Sequence, residues 1–294
     1  MLLSRGHYLA FILLLFCASL YAQDKHYTVV SSDGVPLAVQ ETGAADGQPI
    51  IFIHGLLGSH LNWEKQWQDP ALQRFRLISF DLRGHGLSGK PEQATAYTEN
   101  RRWADDVAAV INGSGANKPL LVGWSLGGAV NSHYLAAYGD KQIAGVLYVD
   151  GVVELTPEQI PAHPQVYQDM VSADLKTHLA GERDFLRLCF HQQPDTATFE
   201  RLLANAALAS WTMQRAVPQM KVSLAQGLGK AKVPVLFIYG EKDQLVNPQA
   251  SLARARSVNP HIRTLLYADS GHAPFLEEPQ RFNRDLAAFA DSLQ

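Results

Sequence analysis

The chain has 294 residues, 47% of them hydrophobic and 18% charged, a balance that suits a folded globular protein and excludes a disordered or fibrous one. The formal charge is −3 and the Lys and Arg residues are scattered, so no basic footprint recommends nucleic acid as a partner. Two cysteines, Cys17 and Cys189, exclude a disulfide-rich scaffold.

At the start of the chain, Arg5 is the only Lys, Arg, Asp or Glu before Asp24, and Leu9 to Leu20 is almost wholly apolar. A charged start, an apolar stretch and the small residues Ala18, Ser19 and Ala22 together read as a signal peptide over 1–22. This predicts export to the periplasm or the exterior, with cleavage after Ala22. The alternative is a retained anchor, but a spanning helix needs about 20 apolar residues and this stretch is shorter. The mature chain would keep Cys189 alone, which sits among apolar neighbours and is expected to be a buried filler.

Two alternating stretches follow, Tyr27 to Ser31 and Val35 to Glu41. They predict a hairpin, with Asp33-Gly34 supplying positive φ angles at the turn. The runs Ile50 to Ile53, Phe75 to Phe80, Leu120 to Trp124 and Ala144 to Val149 lack alternation, as strands covered on both faces do. Between them the helical spacing is clearest over Asn100 to Ile111. From 156 to 230 the sequence turns helical, broken by Pro157, Pro161, Pro164, Pro194 and Pro218. Strands resume at Val233 to Tyr239 and Ile262 to Tyr267, and a last helix runs from Gln280 to the end. Alternating strands and helices predict an α/β fold with a mostly parallel sheet flanked by helices. The core spans 23–155 and 231–294, and the 156–230 block is a helical cap inserted before the penultimate strand. Such an insertion emerges where ligand crevices form, so the apolar cap residues Leu179, Phe185 and Trp211 are expected to select substrate.

Gly123-Trp124-Ser125-Leu126-Gly127 stands between a predicted strand and the helical Ala129 to Tyr138. A serine at such a sharp strand-to-helix turn is strained and exposed, and the flanking glycines relieve crowding. A hydroxyl needs a base to take its proton, and imidazole, with an ordinary pKa of about 6.5, suits that work. His272, on the loop after the last strand, fits the order serine, acid, histidine. For the acid, Asp243 at the end of the Val233 to Tyr239 strand is preferred. Asp150, at the end of the preceding strand, is the rival, and Asp269 ranks third. The oxyanion donors are expected to be the backbone N–H groups of Leu126 and Leu56, the latter in the His54-Gly55-Leu56-Leu57-Gly58 loop. His54 is expected to brace that loop and His133 to pack or face solvent.

Taken in order, His54-Gly55, Asp81-Leu82-Arg83-Gly84-His85-Gly86-Leu87-Ser88, Gly123 to Gly128, Gly240-Glu241-Lys242-Asp243 and Gly271-His272 resemble the α/β-hydrolase superfamily across nearly all of Tyr27 to Leu293. The resemblance implies an eight-stranded sheet and the triad Ser125, Asp243 and His272. It marks Asp81 to Ser88 as a bracing loop, leaving Arg83 and His85 outside the catalytic set. Gly-Trp-Ser-Leu-Gly-Gly is most similar to small bacterial carboxylesterases, including those that cleave methyl esters from acyl carriers. Dehalogenases and epoxide hydrolases of this family carry aspartate where Ser125 stands, which argues against both.

No His-Glu-x-x-His, spaced cysteine cluster or Walker-type loop is present, so neither metal nor cofactor is expected. The expected activity is hydrolysis of a small or medium apolar carboxylic ester through an acyl-enzyme, with a small-molecule ester as substrate, no nucleic-acid partner and no stable membrane insertion once the signal peptide is removed. Two alternatives stay open: the same triad acting on a carbon–carbon, thioester, amide or peracid bond, and a catalytically silent binding protein on this fold.

Overall fold

The computed structural model describes residues 24–293, so the leader expected over 1–22 lies outside the described residues. Eight strands form one sheet: β1 Lys25–Val30, β2 Pro36–Gly43, β3 Pro49–Ile53, β4 Arg76–Phe80, β5 Leu120–Trp124, β6 Gly145–Val149, β7 Val235–Gly240 and β8 Arg263–Tyr267. Their spatial order is β1-β2-β4-β3-β5-β6-β7-β8. β1 and β2 pair antiparallel, β2 pairs antiparallel with β4, and every pair from β4 onward is parallel. The apolar runs behave as their lack of alternation predicts, since every residue of β3, β5, β6 and β7 is buried. β8, at the edge, is partly exposed.

Local chemistry moves some boundaries. The first hairpin turns through Gly34 alone, at φ +86°, with the Ser31 N–H donating to Val35 O at 2.9 Å. Asp33 does not share the positive φ expected of it. A three-residue loop with glycine in the left-handed position replaces the tight two-residue turn, and the Asp33 carboxylate pairs with Arg83 at 3.0 Å. β7 begins at Val235 because Pro234 has no N–H for a ladder; its carbonyl accepts the Val146 N–H at 3.1 Å. The helix predicted over 100–111 continues to Ser114, where Gly115 at φ +65° ends it in a left-handed cap.

The helix Leu126–Tyr138 packs on the sheet and on Asn100–Ser114. The final helix, Pro279–Asp291, buries Phe282, Leu286 and Phe289. Between β6 and β7 the chain forms four α-helices, Pro164–Met170, Leu175–Leu188, Thr196–Ala206 and Trp211–Ala216. Asp174, Asp195 and Ser210 cap three of them by accepting backbone N–H groups.

The strand order fixes where chemistry can sit. From β3 the chain crosses to β4 on one side, then returns past β3 to β5 on the other. Connections thus leave in opposite directions between β3 and β5, opening a crevice at their carboxyl ends. Leu56 follows β3 there, and Ser125 and Leu126 follow β5.

Candidate active site

Ser125 occupies the first position after β5 with φ +52° and ψ −115°, a region a non-glycine residue enters only when its surroundings hold it. Its N–H donates to Val149 O at 3.0 Å, and its carbonyl accepts N–H groups from Gly128 and Val152, both at 2.9 Å. The flanking glycines are required by packing. A Cβ on Gly123 would strike the Gly127 carbonyl, and one on Gly127 would strike the Ile53 carbonyl. Gly55 is confined likewise, since its Cβ would lie 2.9 Å from the Ser125 Cβ.

His272 Nδ1 lies 2.7 Å from Asp243 Oδ2, with both side chains almost wholly buried. The other carboxylate oxygen of Asp243 accepts the N–H groups of Leu245 at 2.7 Å and Val246 at 3.0 Å. With Nδ1 donating to a carboxylate, the neutral ring carries its lone pair on Nε2. That atom is buried and has no hydrogen-bond partner among the described residues. The histidine is pinned through its backbone. Its N–H donates to Cys189 O at 3.0 Å, and its carbonyl accepts the Trp124 Nε1–H at 2.7 Å. Trp124 immediately precedes Ser125, so one side chain ties the histidine loop to the elbow.

Leu126 opens the helix Leu126–Tyr138, whose first N–H groups have no acceptor within the helix. The Leu56 N–H donates to no other group among the described residues. Its loop is held by the Asn205 side chain, which donates to Leu57 O at 3.2 Å, and Leu57 takes φ +61°. His54 braces this loop as expected: Nε2 accepts the Leu82 N–H at 2.9 Å and Nδ1 donates to Gly55 O at 2.7 Å. Burial lowers its pKa to about 4, so the ring stays neutral. Arg83 forks onto Asp106 at 2.6 Å and onto Asp33, bracing the fold away from the serine. His85 is buried with Nδ1 on Arg83 O, and His133 packs against the Met220 sulfur at 3.3 Å.

A cavity of about 460 Å³ opens onto Ser125 and Leu126. Its walls come from Leu56, from Val152, Leu155, Thr156 and Pro157 after β6, from Tyr167, Phe185 and Met220 of the helical block, and from Leu245 and Val246. Among the described residues only Ser125, Thr156 and Tyr167 bring side-chain oxygen to it, and no charged side chain lines it. Of the three block residues expected to select substrate, Phe185 alone lines this cavity. Leu179 borders a surface groove on the outer side of its helix, and Trp211 packs against His178 with ring centroids 4.1 Å apart and the planes tilted by 34°.

Asp150, Asp243 and His272 are the one cluster of possible metal ligands among the described residues. Asp243 and Nδ1 of His272 are already spent on each other. Asp269 stays outside the cluster, offering only its backbone carbonyl to Gln192 at 3.2 Å. Two supports had no signal in the sequence. Glu277 accepts N–H groups from His191 and Gln192 at 2.9 and 2.8 Å, and from Gly271 at 2.9 Å, fastening the histidine loop to the helical block; burial raises its pKa. Trp124 is the other.

A model of the family described as the alpha/beta hydrolase fold matches residues 48–279. The crystal structure of a candidate aryl esterase from Burkholderia cenocepacia superposes with a TM-score of 0.91 at 68% identity, over 92% of this chain and 99% of that one. AB hydrolase superfamily protein YisY of Bacillus subtilis is 28% identical over 91% of this chain and 99% of its own length. Bifunctional esterase/perhydrolase DCH of Acinetobacter calcoaceticus is 26% identical over 90% and 99%. With this sheet order, this elbow and a family match across most of its length, the chain belongs to the α/β hydrolase family.

Proposed function

We propose that the protein hydrolyses an uncharged, apolar carboxylic ester through an acyl-enzyme on Ser125. The observation that carries this reading is the pairing of His272 Nδ1 with Asp243 at 2.7 Å, on a loop that Trp124 ties to the elbow. Relatives named as esterases agree with it. The Nε2 of His272 takes the Ser125 proton as Oγ attacks the ester carbonyl. Asp243 holds the ring in the right tautomer and stabilises the cation that forms. The Leu56 and Leu126 N–H groups receive the oxyanion, each such donor typically being worth about 2.7 to 4 kcal/mol. His272 then returns the proton to the leaving alcohol, and a water activated by the same ring releases the acid.

A cavity without charge favours acyl and alcohol parts that are both apolar, since a charged group would lose its hydration there with no partner. The test is kcat/KM on aryl esters of increasing acyl length, beside a carboxylate-bearing ester and matched amide and thioester controls. Uncharged esters of medium acyl length should lead, with the charged ester at least about tenfold poorer. Faster turnover of the amide or thioester would contradict the reading.

A further inference from the structure

Asp150, the rival acid, closes β6 in a conformation of its own. It is fully buried at φ +42°, and its N–H donates to Ile238 O at 2.9 Å. Its Oδ1 accepts the Gly240 N–H at 2.8 Å, where β7 ends and the chain turns toward Asp243. Its Oδ2 is buried and meets no donor among the described residues. Even so, a carboxyl oxygen of Asp150, one of Asp243 and a ring nitrogen of His272 all lie within 4.8 Å of one another.

Two buried carboxyl groups this close do not both ionise at neutral pH. The donors around them decide which one carries the charge. Asp243 receives three N–H groups, from Leu245, Val246 and His272, whereas Asp150 receives one. We propose that Asp150 keeps its proton at neutral pH and, as a neutral acid beside Asp243, serves as a positioning residue for the Asp243–His272 pair and as its reserve acid. This rests on the reading of Asp243 as the triad acid.

The groups facing Asp150 favour this arrangement. Burial first, and then the neighbouring Asp243 charge, push its carboxyl well above the usual range, with Glu277 adding to the effect and the Gly240 N–H opposing it. Tyr239 from β7, Glu277 from the short helix Pro274–Glu277 and His272 are the other titratable groups near it, and none brings a permanent positive charge. A protonated oxygen needs an acceptor rather than a donor, which accounts for an Oδ2 without donors near an anionic neighbour. If the Asp243 charge is removed, its repulsion no longer adds to burial in holding Asp150 neutral, and the imidazolium that forms at His272 during turnover favours ionisation of Asp150 beside it.

The test compares pH profiles of kcat/KM for wild type, Asp150→Asn, Asp243→Asn and the double variant on an uncharged aryl ester. Asparagine at 150 keeps the acceptor for Gly240 and offers an N–H where the acid offers an O–H. Asp150→Asn should therefore stay within about fivefold of wild type and leave the acidic limb in place. Asp243→Asn should retain residual activity that falls by a further tenfold or so in the double variant. The proposal is overturned if Asp150→Asn moves the acidic limb by about one unit or more, as loss of a real charge beside the imidazole would. Equal activity of Asp243→Asn and the double variant also overturns it. Infrared spectra with ¹³C-labelled aspartate read the proton directly. A carboxylic-acid band should persist at mildly alkaline pH in wild type and be missing from Asp150→Asn, and its absence from wild type contradicts the proposal whatever the variants do. Should Asp150→Asn prove more damaging than Asp243→Asn, the assignment of the acid itself fails, and the proposal with it.

Discussion

Trp124 shows what a single side chain does here beyond filling space. Its ring lies 5.7 Å from the His272 ring and 5.0 Å from Phe275, and its N–H holds the His272 carbonyl. Trp124→Phe keeps most of the ring and loses the donor. A net hydrogen bond of about 0.5 to 1.5 kcal/mol predicts a kcat lowered by up to about tenfold with KM little changed, measured by steady-state kinetics. A KM effect with unchanged kcat would mean that Trp124 touches substrate and does not position the base. Ser125 was legible because its signal is local: strand, sharp turn and helix follow one another within a few residues. The sequence favoured Asp243 over Asp150 through chain order alone, since both end strands. What separates them is a set of backbone donors that only folding assembles. Trp124 and Glu277 left no trace for the same reason, their partners lying 148 and about 85 positions away.

At the scale of elements, the parallel strands were readable because burial on both faces leaves continuous apolar runs. Their ends were less so, as Pro234 and Gly34 show, each shifting a boundary through one backbone property. The helical block was readable as helices, yet its facing was not. Leu175 and Leu179 stand on the outer side of Leu175–Leu188 with 58% and 39% exposure, while Phe185 on the same helix is 5% exposed and lines the cavity. Hydrophobicity alone ranks these residues together. The block is fastened to the core at points that matter for the site: Asn205 on the Leu56 loop, Cys189 and Glu277 on the histidine loop. It thus frames the Leu56 loop and the His272 loop as well as the cavity.

For the molecule as a whole, the buried imidazoles set a limit in acid. Burial lowers His54 and His133 to about 4 and His85 to about 3, below the ordinary value of about 6.5. In that interval the unfolded chain binds protons that the folded chain refuses, so the stability these groups contribute is complete above about 6.5 and is lost as pH falls through the folded values. Tm should therefore drop steeply from about pH 6.5 toward pH 4, followed by circular dichroism, and a flat profile there would mean that these rings accept protons in place. No helix among the described residues is long and apolar enough to cross a membrane, and the proposed function has the described chain hold one serine, one imidazole and one carboxylate at the end of a sheet. The measurement that tests this most directly is intact-mass and peptide analysis after treatment with a fluorophosphonate. A single adduct on Ser125, absent in a folded Ser125→Ala whose esterase turnover falls by as much as about 10⁶-fold, is the predicted result; an adduct on another residue, or unchanged turnover in Ser125→Ala, would contradict it.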